Sequence, residues 1–136
     1  MLIVDTGPLV ALGDRKDPDH DACLDLLSTE PGPLLTTAMV IAEAAYLLAR
    51  QVGTDGELAL YADIESGLFT VELLTLGDWQ RIAELVDRYR DLPLGGTDAS
   101  VVALAERFGT QHIATIDHRH FQIVRPAHCD TFTLLP

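Results

Sequence analysis

Short apolar runs alternate with longer stretches of helical spacing along the 136 residues. Residues 2–4 (LIV) form a continuous apolar run that stops at Asp5, the pattern of a parallel strand buried on both faces. Pro8 suits the first turn of a short helix over PLVALGD. Asp17-Pro18 announces a second helix, about 18–29, with Ala22, Cys23, Leu26 and Leu27 at helical spacing, and the Pro-Gly-Pro at 31–33 stops it. LLTT at 34–37 reads as a strand whose last residue, Thr37, caps a helix over 38–51. Gly53 closes that helix. A further helix at 55–66 ends at Gly67, and FTVELL at 69–74 reads as a strand. Gly77-Asp78 starts a helix running to about Asp91, with Trp79, Ile82, Ala83, Val86 and Tyr89 as its apolar stripe. The turn DLPLGG leads into a helix at 97–108. HIATI at 112–116 is a strand ending at Asp117, and IV at 123–124 and TFTLL at 131–135 read as short edge strands.

Strands that are short and apolar, separated by helices, predict an α/β protein: a three-layer α/β/α domain with a mostly parallel central sheet. The length fits one domain over residues 1–136. Hydrophobic residues make up 48% of the chain and charged residues 22%, which excludes extended disorder as the main state. The 21 acidic residues outnumber the 9 basic ones, for a net charge of −12, so a broad basic surface for nucleic acid is excluded. Residues 1–68 carry 12 acids and 3 bases, and residues 69–136 carry 9 and 6, so the arginines favour the second half. Cys23 and Cys129 form no CxxC or four-cysteine zinc pattern. No signal-peptide core or bilayer-length apolar stretch is present, and the expected location is the cytoplasm, with no membrane partner.

Most of the acids suit solvated helix faces, but four stand in unusual places. Asp5 ends an apolar strand. Glu43 is the only charge within AMVIAEAAYLLA, Asp98 opens the helix after the Gly-Gly turn, and Asp117 follows HIATI. In an open α/β sheet, ligands bind in the crevice at the carboxyl ends of the strands. Asp5 and Asp117 belong at that edge, and helix starts such as those carrying Asp98 and Glu43 begin near it. Four carboxylates drawn together repel and raise one another's pKa values. A hard divalent cation relieves this, because Mg²⁺ and Mn²⁺ favour oxygen ligands. The expected site is therefore a metal site with open water positions. Each acid also has a plain structural reading: Asp5 as a helix cap, Glu43 paired with a buried arginine or at an edge of the apolar face, Asp98 capping its helix or stabilising it through the dipole, Asp117 as a turn residue.

The segments IVDTGPLVAL at 3–12, TTAMVIAEAAYLL at 36–48, LPLGGTDASVVALAERFG at 92–109 and IATIDHRHF at 113–121 resemble those of PIN-domain proteins, and more narrowly of VapC-type toxin ribonucleases. The resemblance matches the family's acids to Asp5, Glu43, Asp98 and Asp117, and its small hydroxyl residue to Thr6. It implies a PIN-like fold, RNA cleavage dependent on Mg²⁺ or Mn²⁺ with 5′-phosphate and 3′-hydroxyl products, a homodimeric toxin, and inhibition by a small VapB-like antitoxin. On this reading Asp5, Asp98 and Asp117 hold the principal metal, directly or through water, and Glu43 is a ligand or orients a water. Thr6 supports Asp5 or a bound water. Ser100 either does similar work or bonds to backbone. Arg119, with His118 and His120, either contacts the RNA backbone or belongs to a solvated loop. Arg15 and Lys16 are further phosphate-facing candidates. Leu47, Leu48, Leu58 and Tyr61 are either partner or dimer surface or ordinary core.

Other classes fit poorly. A DxDxT phosphatase pattern is absent, a receiver domain lacks its late lysine, and neither GxGxxG nor GxxxxGK appears. No GxSxG elbow exists, and the histidines form no complete zinc pattern. Two alternatives stay open beside the toxin: a non-toxin PIN nuclease in RNA processing or decay, and a non-catalytic acidic protein-interaction domain.

Overall fold

A computed structural model describes residues 1–136. In chain order the elements are β1 (Leu2–Val4), α1 (Thr6–Gly13), α2 (His20–Thr29), β2 (Leu34–Thr37), α3 (Ala38–Gln51), α4 (Thr54–Glu65), β3 (Thr70–Glu72), α5 (Leu76–Arg88), α6 (Gly96–Phe108), β4 (His112–Ala114), α7 (Arg119–Ile123) and β5 (Thr133–Leu135). The strands form one sheet in the order β3-β2-β1-β4-β5, and every pairing is parallel. Parallel neighbours need crossover connections, so helices stand between all successive strands. Within the helical layers α1 packs against α2, α3 and α4, and α5 packs against α6. The three-layer α/β/α architecture expected from the strand and helix rhythm is the one formed.

The central strand explains itself. Leu2, Ile3 and Val4 are all fully buried, as a strand covered on both faces requires. Ile3 pairs with Leu35 on one side and Ile113 on the other. The chain leaves β1 towards β2 and β3, then returns to β4 on the opposite flank. The connections therefore diverge above β1 and β4, and this topological switch point opens a crevice at their carboxyl ends.

Two helices frame that crevice. Thr37 caps α3, its hydroxyl accepting from the Val40 amide at 3.2 Å, as expected from the sequence. Helix α6 is buried over seven consecutive residues, Ala99–Ala105, and touches α3, α5, β1 and β2. Its many small side chains permit that close packing. The Ser100 hydroxyl lies 2.9 Å from the Thr37 hydroxyl, pinning the start of α6 to the end of β2. One core of 28 buried residues joins the sheet to both layers.

Several expectations are corrected. Residues 123–124 are not a strand. Ile123 ends α7, and Val124 follows it, buried, with its amide bonded to the His120 carbonyl. Val124 alone covers the core while Ile123 stays exposed, and so short a run carries no period. The strands at 69–74 and 112–116 shorten to Thr70–Glu72 and His112–Ala114, which places Asp117 in the loop beyond β4. The apolar stripe of α5 is also turned. Thr75 and Asp78 form a capping box, Asp78 faces inward, and the buried row continues through Ile82 and Leu85. Trp79, one residue on and about 100° round the helix, is left 48% exposed, and Val86 is also exposed. Leu48 is core, not partner surface: it is 1% exposed and packs where a Cβ on Gly13 would come within 2.7 Å of it. Leu58 and Tyr61 are exposed and Leu47 is half-buried.

Candidate metal centre

The crevice holds a cavity of about 310 Å³ lined by Asp5, Thr6, Gly7, Glu43, Leu47, Asp98, Ile116, Asp117 and His120. All four carboxylates singled out in the sequence therefore face one space, delivered by four separate elements. Asp5 leaves β1 and its amide donates to the Ala114 carbonyl at 2.9 Å, continuing the β1–β4 pairing by one residue. It stands at the N-cap position of α1, but its side chain does not cap the helix. The carboxylate instead accepts from the Thr115 hydroxyl at 2.8 Å. Gly7 permits this crowding: a Cβ there would lie 2.8 Å from the Ile116 side chain.

The electrostatics set Asp5 apart. It is 8% exposed, and burial pushes its pKa up to about 6. The Thr6 and Thr115 hydrogen bonds act against that rise, while the charges of Asp98 and Glu43 add to it. Asp78 shows the contrast. It is more deeply buried, at 4% exposure, but Arg107 Nε lies 3.0 Å from its carboxylate and the Thr75 amide donates to it at 2.9 Å. The sequence marks Asp78 only as the start of a helix, and its role is structural. The difference between the two acids lies in their neighbours: a cation and a cap for Asp78, two more carboxylates for Asp5.

The other site acids are engaged by the α7 segment. Asp98 is hydrogen-bonded to His120, Nδ1 to Oδ2 being 2.8 Å. Asp117 is gripped by Arg119 through Nε at 2.9 Å and Nη2 at 2.6 Å, and by the Arg119 amide at 3.2 Å. This guanidinium holds the Asp117 carboxyl well below the usual carboxylate range. The pair is open to water, with side-chain exposures of 81% for Arg119 and 54% for Asp117. Glu43 is exposed at the rim, so it escapes the desolvation expected from its apolar helix.

As these side chains stand, no three His, Cys, Asp or Glu groups are placed to chelate an ion together. The donor chemistry nonetheless suits a hard cation: the carboxylates supply oxygen alone, and Asp5 and Asp98 carry like charge into one cavity. The buried Thr6 hydroxyl at the same wall has no hydrogen-bond partner, a vacancy that a water or ion ligand would satisfy. Completing the set requires Asp117 to turn from Arg119, a movement of exposed side chains.

The remaining candidates separate. Ser100 is fully buried and donates to the Thr97 carbonyl at 2.7 Å, so it bonds backbone and Thr37 and does not line the cavity. His118 bonds the Thr115 carbonyl at 3.1 Å and braces the loop. Arg15 and Lys16 are exposed beside Gln51 in a different cavity of about 380 Å³. His120 reaches Asp98, a contact that the DHRHF spacing alone did not reveal, because α7 first has to fold back over α6.

These features match a known class. The PIN domain family matches residues 2–125, and the chain belongs to that family. Within it, the chain is 35% identical to Ribonuclease VapC26 of Mycobacterium tuberculosis over 135 residues, covering 99% of this chain and all of that protein. Among solved structures it resembles VapC20 of Mycobacterium tuberculosis, described as a sarcin-ricin loop cleaving toxin, with a TM-score of 0.81 and 25% identity over 87% of this chain and 91% of that one. The fold is shared with FitAcB of Neisseria gonorrhoeae at a TM-score of 0.65 and 18% identity, over 89% of this chain and 91% of that one. It is shared also with VapBC2 of Rickettsia felis, solved with a DNA fragment from their promoter, at a TM-score of 0.69 and 13% identity, over 98% and 96%. No helix is long and apolar enough to cross a membrane.

Proposed function

We propose that this protein is a metal-dependent endoribonuclease, the toxin of a VapBC-type toxin–antitoxin pair, using Mg²⁺ or Mn²⁺. The observation that carries the reading is the gathering of Asp5, Glu43, Asp98 and Asp117 around one cavity at the switch point of the sheet. Relatedness to Ribonuclease VapC26 supports RNA as the substrate and the toxin role.

Asp5, Asp98 and Asp117 would hold the ion, with Glu43 binding it or orienting a water. Bound there, the ion supplies Lewis acidity: it offsets phosphate charge and lowers the pKa of an attacking water. The chain contributes the rest. The Thr115 hydroxyl ties the Asp5 carboxylate to the loop beyond β4. The Thr6 hydroxyl, buried beside Asp5 without a partner within the chain, is the donor this wall would offer to a group bound there. Glu43, at the open rim, is placed to take a proton from a water aimed at phosphorus. Arg119, once released from Asp117, offers a guanidinium to a phosphate oxygen. Arg15 and Lys16 form no ion pair within the chain, and their cavity lies two turns along α3 from Glu43, past Leu47 to Gln51. They would hold a more distant phosphate.

A VapB-like antitoxin would present a basic tail to this negative cavity. The Arg119–Asp117 pair shows that a guanidinium already fits a carboxylate there. The exposed Leu58 and Tyr61 on α4 are the surface offered for that partner or for a second copy in a homodimer.

The test is incubation with total RNA and Mg²⁺ or Mn²⁺, followed by mapping of new 5′-phosphate ends. The expected result is discrete cleavage that falls roughly 100-fold or more in Asp98→Asn. Cleavage insensitive to chelator, or equal in Asp98→Asn, overturns the reading. Undiminished cleavage by a saturated toxin–antitoxin complex overturns the proposed mode of inhibition.

A further inference from the structure

A second cavity of about 480 Å³ adjoins the carboxylate site and shares a wall with it. It is lined by Leu92, Pro93, Arg119, His120, Gln122 and Ile123, and His120 lines both spaces. One side comes from the turn before α6 and the other from α7, so the two arms that carry Asp98 and His120 also enclose this recess. We propose that this recess receives one nucleobase of the RNA next to the cleaved phosphodiester, and that Gln122 reads the edge of that base.

Three observations carry the assignment, which rests on the nuclease reading above. The size is right for a small planar group, at the lower end of ligand pockets. The walls are chemically matched to a base. Leu92, Pro93 and Ile123 supply apolar surface for its faces, and Ile123 is left 54% exposed although it is a large aliphatic residue. The Arg119 guanidinium, whose donor edge is taken by Asp117, keeps a flat exposed face of the kind on which unstacked bases rest. The polar group is unspent: the Gln122 amide makes no hydrogen bond within the chain, whereas its backbone amide is satisfied by the His118 carbonyl at 3.0 Å. A glutamine side chain offers both a donor and an acceptor, the complement of a base edge. A solvated helix end would need neither the recess nor its continuity with the carboxylates. Position then gives specificity: a strand whose phosphate lies among Asp5, Asp98 and Asp117 has its adjoining base within reach across His120.

The test compares cleavage-site sequences from a randomised RNA pool for the wild type, Gln122→Ala, Gln122→Glu and Ile123→Ala. Gln122 and Ile123 are exposed, so these changes leave the fold intact. The expected result is a loss of about tenfold in discrimination at one position beside the cut in Gln122→Ala. Gln122→Glu, which can only accept, should change which base is preferred at that same position. Ile123→Ala should raise KM with kcat little changed. Identical sequence preferences in all four proteins, alongside metal-dependent cleavage, overturn the base-recognition proposal and leave the nuclease reading standing. Absence of cleavage by the wild type overturns both.

Discussion

Asp5 is the residue whose chemistry is least comfortable in the folded chain. Its carboxyl is pushed from an ordinary value of 3.8 up to about 6, so between those pH values the folded state binds more protons than the unfolded one. Stability therefore falls as pH rises through that window, and above it the charged form costs about 3 kcal/mol. Asp5→Asn keeps the shape and removes the charge. It should raise the melting temperature at pH 7.5 and flatten the dependence of stability on pH between 4 and 6; an unchanged profile on thermal denaturation would refute the buried-charge account. Mn²⁺ should stabilise the wild type in the same assay and the Asn variant much less. Arg119 poses a complementary question. If its pairing with Asp117 competes with the ion, Arg119→Ala should bind Mn²⁺ roughly two- to fivefold more tightly by calorimetry, the scale of an exposed ion pair. Weaker binding would mean that Arg119 helps to build the site. Asp5 and Asp117 were legible as unusual residues because each follows an apolar run. Their environments were not, since burial against Thr115 and capture by Arg119 come from the loop beyond β4.

Single elements hold the site by identifiable contacts. Helix α6 is tied to β2 through Thr37 and Ser100, two hydroxyls sharing one bond in a fully buried place. Ser100→Ala leaves the Thr37 hydroxyl with only its bond from the Val40 amide and should cost about 1–2 kcal/mol in denaturant unfolding. Cleavage per folded molecule should survive, because Ser100 does not line the carboxylate cavity. Helix α5 depends on the inward Asp78, and Arg107→Ala would leave that carboxylate buried without its cation, a loss of about 3 kcal/mol. Equal stability by urea melts would show that the cap alone satisfies Asp78. The same helix shows where periodicity misleads. Counting apolar residues puts Trp79 inside, but the capping box sets the rotation of the first turn and sends Trp79 outward. Thr75 and Asp78 are spaced as a capping box in the sequence, so that signal was present and unread.

For the whole molecule, the −12 charge and the few free cations would limit how the proposed RNA substrate is held. Arg81, Arg90, Arg107 and Arg119 are all committed to carboxylates, and Arg50, Arg88 and Arg125, though without a carboxylate partner, line neither the carboxylate cavity nor the cavities beside Gln51 and Gln122. Arg15, Lys16 and a released Arg119 make about three phosphate contacts, so binding to single-stranded RNA should weaken with salt with a log–log slope of about −2. A slope steeper than about −7, the mark of ten contacts, would point to a basic surface that this chain does not have.

The amino-acid sequence alone determined the α/β rhythm, the buried central strand, the cap of α3 and the identity of the four acids. Those features are local: apolar runs, breakers, hydroxyls before helices, charges where neighbours are apolar. Tertiary structure decided what local spacing does not encode. It set the strand order that brings residues 5, 43, 98 and 117 round one cavity, turned His120 onto Asp98, buried Leu48 against Gly13 and Ser100 against Thr37, and opened the recess beside Gln122. Each depends on segments far apart in the chain meeting, and only the closed core fixes those meetings.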